Sequence, residues 1–289
     1  MTVAVTGASG QLGRLVAEGL LDVLDPADVV LVTRSPEKLA DLAERGAEVR
    51  RGDFNDPASL DFAGVDRLLL ISGDVIGARV PGHVNAIDAA AAAGVKHVVY
   101  TSVGNPSDDN PAIAVPDHRA TEEALRASGV AWTFLRNGVY ADLQVGGAAG
   151  AIATGTLLTN TVDGRNGYVT RADCAAAAVA VLTGDGHEGK AYDITGPEAL
   201  GADDLAAIYG ELGETQVSVV HVDDAAWVDA MVQHAGLPEE LVHVLVTFGA
   251  AQRQGYAAVV TPTFERLTGR APTSLREFLG AQRETLVAA

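Results

Sequence analysis

Short apolar runs rich in β-branched residues recur along the first half of the chain, separated by longer stretches with helical spacing of apolar positions or a high alanine content. "TVAVT", "VVLVT", "AEVRR", "RLLLI", "HVVYT" and "AWTFL" read as strands, with helices expected to begin near Gln11, Pro36, Ala58, Val80 and Asp117. A strand covered on both faces does not alternate apolar with polar residues. Near-continuous apolar runs separated by helices therefore predict an α/β fold, a Rossmann-like doubly wound parallel sheet with helices on both sides. Such sheets bind ligands at the carboxyl ends of their strands. After about Tyr140 the pattern loosens into "GGAAGAIATGTLL", a flexible or partly helical excursion. A helix over Arg171 to Leu182 and a strand at "KAYDIT" follow. From Gly201 onward, the helices "DDLAAIYGEL", "AAWVDAMVQHAG" and "EELVHVLVTFGAAQ" mix with a short strand, "QVSVVHV".

The turn after the first strand, "VTGASGQLGR", carries Gly7, Gly10 and Gly13 at every third position. A strand that turns tightly into a helix leaves amide groups and a positive dipole end facing outward, a natural seat for a diphosphate. Glycine allows the turn, the approach of phosphate to the backbone, and close packing of helix on strand. The spacing places Gly7, Ser9, Gly10, Gln11, Leu12 and Gly13 around a bound dinucleotide. Residues 1–140 are thus expected to form a dinucleotide-binding domain. Residues 141–289 form a mixed segment that completes the sheet and supplies a smaller, mainly helical C-terminal substrate cap.

The second strand ends at Thr33-Arg34, about 20 residues after the glycines, where an NAD-preferring fold carries an acid for the ribose 2′-hydroxyl. A guanidinium there binds a 2′-phosphate instead and stacks on adenine, with Lys38 as a second charge, so NADP(H) is the expected coenzyme. In "GDFND", Asp53 and Phe54 are placed for the adenine amino group and ring, while Asp56 is expected to cap the next helix. Ser72 and Gly73 leave the fourth strand over the central ribose and phosphates. Gly77 and Arg79 extend that edge, Arg79 also reading as plain surface.

Composition narrows the partners. Acidic residues outnumber basic ones 38 to 20, for a net charge of −18, which repels nucleic acid at long range. The single cysteine, Cys174, reads as a helix core position and excludes an intrachain disulfide, in keeping with a reducing, cytoplasmic compartment. No apolar run has the length of a membrane span, and no cleavable leader is visible. The seven histidines, His83, His97, His187 and His221 among them, lack metal-ligand spacing, so no metal is expected. Ser102 in "YTSVG" lacks a nucleophile elbow. Association into a homo-oligomer is compatible with the sequence.

"TGASGQLG", "LVTRSPEKLADL", "LLLISG", "AAGVKHVVYTS", "TEEALRASGVAWTFLRNGVY", "VTRADCAAAAVAVLTGDGHEGKAYDITG" and "LTGRAPTSLREFL" together resemble the NmrA-like atypical short-chain dehydrogenases, nearly end to end. Within that family the chain is most similar to the type 2 NAD(P)H:quinone oxidoreductases and the triphenylmethane reductases. The resemblance implies NADPH-dependent, flavin-free reduction of a flat, aromatic or quinone-like small molecule. It implies that Asn137, Gly138, Val139 and Tyr140 line the nicotinamide, that Arg171 lies near the coenzyme, and that Ser102 sits beside the nicotinamide. Classical family members carry a catalytic Tyr and, four residues later, a Lys. Here those slots hold His118 and Glu122. Tyr140 and His118 are the candidate proton donors or orienters, with His118 also readable as a surface or capping residue. Because the family includes non-catalytic members, a redox-sensing regulator that binds a protein partner is the alternative.

Overall fold

The computed structural model describes residues 1–288. Its framework is a seven-stranded, wholly parallel sheet of β1 (Val3–Thr6), β2 (Val29–Thr33), β3 (Glu48–Arg51), β4 (Arg67–Leu70), β5 (His97–Val103), β6 (Ala131–Asn137) and β8 (Lys190–Ile194). The strand order is β3-β2-β1-β4-β5-β6-β8. Val5 of β1 pairs beside Leu31 on one side and Leu69 on the other. From β1 the chain first builds outward through β2 and β3, then returns to build the opposite half from β4. The carboxyl ends of β1 and β4 therefore flank the topological switch point, the crevice where such sheets take ligands.

Alternation along the strands explains the two cores. Val3, Val5, Leu31, Leu69, Val99 and Leu135 face one side, packed against Val16 and Leu20 of α1 (Gln11–Leu21) and Ala177 and Val181 of α6 (Arg171–Thr183). Ala4, Leu68, Leu70, Tyr100 and Phe134 face the other, against Ile87 and Ala90 of α3 (Val80–Ala92) and Leu125 of α4 (Val115–Ala127). Cys174 of α6 is buried in the first core, as its alanine-rich surroundings predict. Burial holds its thiol well above the usual thiol range.

The excursion after Tyr140 forms a helix, α5 (Gln144–Thr154), ended by Gly155 in the left-handed conformation, and then a strand, β7 (Thr156–Thr159), that periodicity had not indicated. Strand β7 pairs in parallel with β9 (Ser218–His221), Leu157 opposite Val219. Together with α7 (Ala202–Gly213), α11 (Leu275–Gly280) and α12 (Arg283–Ala288), α5 closes a third core around Tyr209, Leu205, Ala148 and Leu279. Helices α8 (Asp224–Gln233), α9 (Glu239–Arg253) and α10 (Thr263–Thr268) belong to the same carboxyl-terminal part of the chain. Phe248 and Ala251 of α9 pack against Val103 and Val115.

Two helix expectations are corrected. The one near Ala58 is a single 3-10 turn, Pro57–Ser59. Side chains there hydrogen-bond the local backbone: the Asn55 N–H donates to the Asp53 carboxylate, and the Ser59 hydroxyl donates to the Asp56 carbonyl, in competition with a helical ladder. Asp56 stands at the start of that turn but makes no side-chain cap. The helix expected from Pro36 divides into a 3-10 turn, Pro36–Leu39, and a short α2 (Ala40–Glu44). Among the described residues no helix is long and apolar enough to cross a membrane.

Candidate active site

At the end of β1, Gly7 takes φ +61° and its carbonyl accepts the Gly10 N–H at 2.9 Å. A Cβ on Gly13 would lie 2.3 Å from the Gly7 oxygen and 2.8 Å from Ala8 Cα, so only glycine lets α1 pack directly over the turn. Gly10, at the N-cap of helix α1, gives no side-chain cap, and no acid stands in the first turn, which leaves the opening amides and dipole to an external anion. These features, read together, fit a diphosphate. Gln11 is exposed at the first helical position and Leu12 is buried beneath it, while Ser9 Oγ is 2.6 Å from Thr33 Oγ1, fastening the turn to β2.

Arg34 projects from the end of β2 with 64% of its side chain exposed; its Nη2 is 3.8 Å from Asp74 on the far lip of the crevice. Lys38 is also exposed. Asp53 is half-buried with its carboxylate committed to the Asn55 amide. Phe54 packs edge-on to His83, and its carbonyl accepts from the Asn85 side chain at 2.8 Å.

Ser72 and Gly73 leave β4 under a set of buried hydroxyls that sequence reasoning passed over. Ile71 N–H donates to Thr6 Oγ1 at 3.0 Å and Ser72 N–H donates to Thr101 Oγ1 at 2.9 Å. Thr33 Oγ1 accepts from Ser35 N–H at 3.1 Å. The signal was legible: "TVAVT", "VVLVT" and "HVVYT" all end in threonine, and each hydroxyl ties a loop at the sheet's carboxyl edge. Arg79 is not a surface residue. Its side chain is 8% exposed, donating to Asp117 at 3.1 Å, to the Gly73 carbonyl at 3.0 Å and to the Ala114 carbonyl at 3.2 Å. The exposed Gly77 donates its N–H to Asp117 at 2.6 Å.

The residues in the classical Tyr and Lys slots turn inward. Glu122 on α4 is 2% exposed and accepts from Ser102 Oγ at 2.8 Å, from Arg136 Nε at 2.9 Å and Nη2 at 2.7 Å, and from Arg126 Nη2 at 2.9 Å. Burial opposes ionisation, but Arg136, Ser102 and Arg126 outweigh it and hold this carboxyl below the usual carboxylate range. With its proton directed at Glu122, the Ser102 hydroxyl is not a donor to substrate. His118 is buried rather than at the surface, and its Nδ1 is hydrogen-bonded to Tyr100 OH at 2.8 Å. Burial, aided by Arg79 and His83, drives its pKa well down, so it is not an imidazolium acid at neutral pH.

His83 is likewise held down, to about 4, by burial and Arg79. Both rings therefore take up protons on unfolding. For a base whose folded pKa lies below its unfolded value, stability is complete above about pH 6.5 and declines as the pH falls toward the folded value. Each ring is expected to cost roughly 1.4 kcal/mol per pH unit in that window. Urea unfolding at pH 7 and pH 5 checks this; equal stabilities would contradict two buried neutral imidazoles.

At the end of β6, Asn137 is buried and its Nδ2 faces Tyr140 OH at 3.4 Å, while its Oδ1 has no partner. The segment is fixed by pairing: Gly138 N–H donates to the Ile194 carbonyl at 2.8 Å and Val169 N–H donates to the Val139 carbonyl at 3.1 Å. The Arg171 guanidinium lies 4.6 Å over the Tyr140 ring and 3.3 Å from Asp142. Burial pushes the Tyr140 phenol far up, so it keeps its proton. Three groups thus converge on the carboxyl edge: the glycine turn, the β4 exit and the Asn137–Tyr140 segment. His118 and Glu122 lie behind that edge, in the α4–β5 interface. Among the described residues no group of side chains is arranged to hold a metal ion.

Comparison with known proteins accords with this geometry. The NAD(P)H-binding family model matches residues 7–185. Quinone oxidoreductase 2 of Escherichia coli K12 is 37% identical over 277 residues, covering 95% of this chain and 96% of that protein. The structure of an NADPH-dependent quinone oxidoreductase from Escherichia coli complexed with NADPH superposes with a TM-score of 0.93 at 36% identity, over 97% of this chain and 99% of that one. The Citrobacter sp. triphenylmethane reductase complexed with NADP(H) gives 0.92 at 35% identity, over 98% and 100%. With the glycine turn, the sheet order and this end-to-end likeness in agreement, the chain belongs to the NAD(P)H-binding family, among its NmrA-like atypical short-chain dehydrogenases.

Proposed function

We infer that this chain is an NADPH-dependent oxidoreductase that reduces a quinone or similar conjugated, electron-poor acceptor without a flavin. The observation that carries this reading is the inward commitment of both residues in the classical Tyr and Lys slots, His118 to Tyr100 and Glu122 to Ser102, Arg126 and Arg136. A carbonyl reduced to an alcohol needs a proton as hydride arrives; a quinone or dye cation spreads the incoming charge over its conjugated system and needs little acid. Positioning is then the main requirement of the site. When bound, NADPH supplies a hydride from its dihydronicotinamide ring.

The chain's own residues divide the labour. Residues Gly7 to Gly13 hold the diphosphate, Arg34 and Lys38 the 2′-phosphate, Asp53 and Phe54 the adenine, and Ser72 and Gly73 the central ribose and phosphates. Asn137, Gly138, Val139, Tyr140 and Arg171 form the nicotinamide end, where Tyr140 keeps a proton to orient the acceptor. Residues 1–140 act as the coenzyme-binding part and 141–289 as the part that shapes the acceptor slot. A cytoplasmic setting, supported by a single buried cysteine, and a small-molecule rather than nucleic-acid partner, supported by the charge of −18, belong to the same proposal. No feature of the site favours a coenzyme-sensing regulator.

Flavin-free protein is expected to oxidise one NADPH per 1,4-benzoquinone reduced. No turnover across quinones, cationic dyes and enals would overturn the reading. Arg34→Ala tests the coenzyme choice. A hydrogen bond to a charged group contributes about 1.5–3 kcal/mol, so kcat/KM for NADPH is expected to fall on the order of 10- to 100-fold. NADH, which lacks the phosphate, should change little. Apart from Asp74, 3.8 Å from its Nη2, Arg34 is largely exposed at the end of β2.

A further inference from the structure

The segment after β4, residues 71–79, is gripped by a closed ring of hydrogen bonds from α3 and α4 that the reaction does not use. Gly73 N–H donates to His83 Nε2 at 2.9 Å. A backbone amide can only donate, so Nε2 carries no proton, and a neutral ring must then carry it on Nδ1. Nδ1–H donates to Thr121 Oγ1 at 2.9 Å, and the Thr121 hydroxyl donates onward to the Asp117 carbonyl at 2.8 Å. The Asp117 carboxylate then accepts from Gly77 N–H and from Arg79 Nε, and Arg79 Nη1 returns to the Gly73 carbonyl. His83 and Thr121 are both fully buried.

We propose that Thr121 and His83 are positioning residues for coenzyme binding: Thr121 selects the His83 tautomer that accepts the Gly73 amide, and so sets the shape in which Ser72 and Gly73 meet NADPH. This rests on the reading of Ser72 and Gly73 as coenzyme ligands. Without the Thr121 oxygen, Nδ1–H has no acceptor, and the ring relaxes to the Nε2–H form, which points a proton at the Gly73 N–H. The amide is released and the β4 exit loses its register. His83 and Thr121 act on affinity only, because neither reaches the nicotinamide end.

Thr121→Val keeps the shape and removes the oxygen. In ¹⁵N-labelled, coenzyme-free protein, the wild type is expected to show His83 protonated on Nδ1 and a protected Gly73 amide. The variant should show the other tautomer and at least tenfold faster Gly73 exchange. NADPH binding by calorimetry should weaken about tenfold, with kcat at saturating NADPH within twofold of wild type. His83→Leu should match or exceed that loss, while His83→Gln, whose side-chain oxygen can take the Gly73 amide, should bind within about threefold of wild type. The His83 pair keeps the test decisive if Thr121→Val does not fold. An unchanged tautomer and protected Gly73 in Thr121→Val overturn the proposal. So does a released amide with wild-type NADPH affinity, or equal losses in His83→Gln and His83→Leu. Wild-type protein that ignores NADPH overturns the coenzyme reading on which the role of the ring rests, whereas wild-type protein that binds NADPH while Thr121→Val keeps its tautomer and its protected Gly73 amide overturns the role of the ring alone.

Discussion

Gly13→Ala is expected to abolish measurable NADPH binding and to lower stability by about 1–3 kcal/mol, the usual cost of forcing an extra methyl into packed surroundings. The new Cβ would stand 2.3 Å from the Gly7 carbonyl oxygen and 2.8 Å from Ala8 Cα, both backbone atoms. No rotamer relieves that overlap; α1 must lift from the turn. Lifting moves the opening amides of α1 away from β1, and the anion seat depends on their alignment. The neighbouring glycines rank below it. Gly7→Ala meets nothing closer than Ile71 at 3.7 Å but inherits φ +61°, a strain of about 1 kcal/mol. Gly10→Ala places its Cβ 3.2 Å from the same Gly7 oxygen, a contact that a small shift accommodates. Calorimetric titration and thermal melting of the three variants should give the order Gly13, Gly7, Gly10; near-normal binding by Gly13→Ala would refute the placement of the diphosphate.

Strand by strand, the sheet was legible because its chemistry is local. All four residues of β1 and all five of β2 are buried, and a short apolar run without polar alternation is what a strand covered on both faces requires. Strand β7 escaped because "TLLT" follows a glycine-rich helix and its partner, β9, lies some sixty residues away. Pairing across that separation leaves no periodic trace. The helix expected at Ala58 failed for the opposite reason: Asp53 and Ser59 offer the backbone competing local bonds that composition alone does not weigh.

At the site, what could be read was what the backbone dictates. Glycine spacing announced the turn that closes at the end of β1. The buried histidines could not be read in this way. His83 lies thirty-eight residues from Thr121, and His118 eighteen from Tyr100, so each pairing exists only once the sheet brings α3, α4 and β5 together. The surface reading of Arg79, one of the two the sequence allows, fails for the same reason, since its partner Asp117 comes from the next helix on that face. The terminal threonines were the exception: a repeated residue at strand ends was visible, and its significance lay in hydroxyls that hold loops rather than in packing.

Glu122→Leu is expected to be the most destabilising single change in the α4–β5 interface. Removing one partner of a buried ion pair typically costs about 3–5 kcal/mol, because the other charge stays behind. The lower end applies here, since the Arg126 and Arg136 side chains keep 43% and 25% exposure and regain water. At roughly 2–4 °C per kcal/mol for a chain of this size class, the melting temperature should drop by about 6–12 °C. Glu122→Gln should fall less, since its oxygen still accepts from Ser102. The pH dependence fixes the sign. Glu122 is a carboxyl with a depressed folded pKa, so its contribution is complete above its ordinary value of 4.5 and is lost as the pH falls through the lower, folded one. The gap between wild type and Glu122→Gln should therefore be constant from pH 6 to 8 and shrink below about 4.5. Benzoquinone reduction at saturating NADPH should persist in Glu122→Gln at a temperature where it is folded. A loss of turnover that outruns the loss of fold would mean that the Ser102–Glu122 pair takes part in the chemistry, and the acid-free reading of hydride transfer would fall with it.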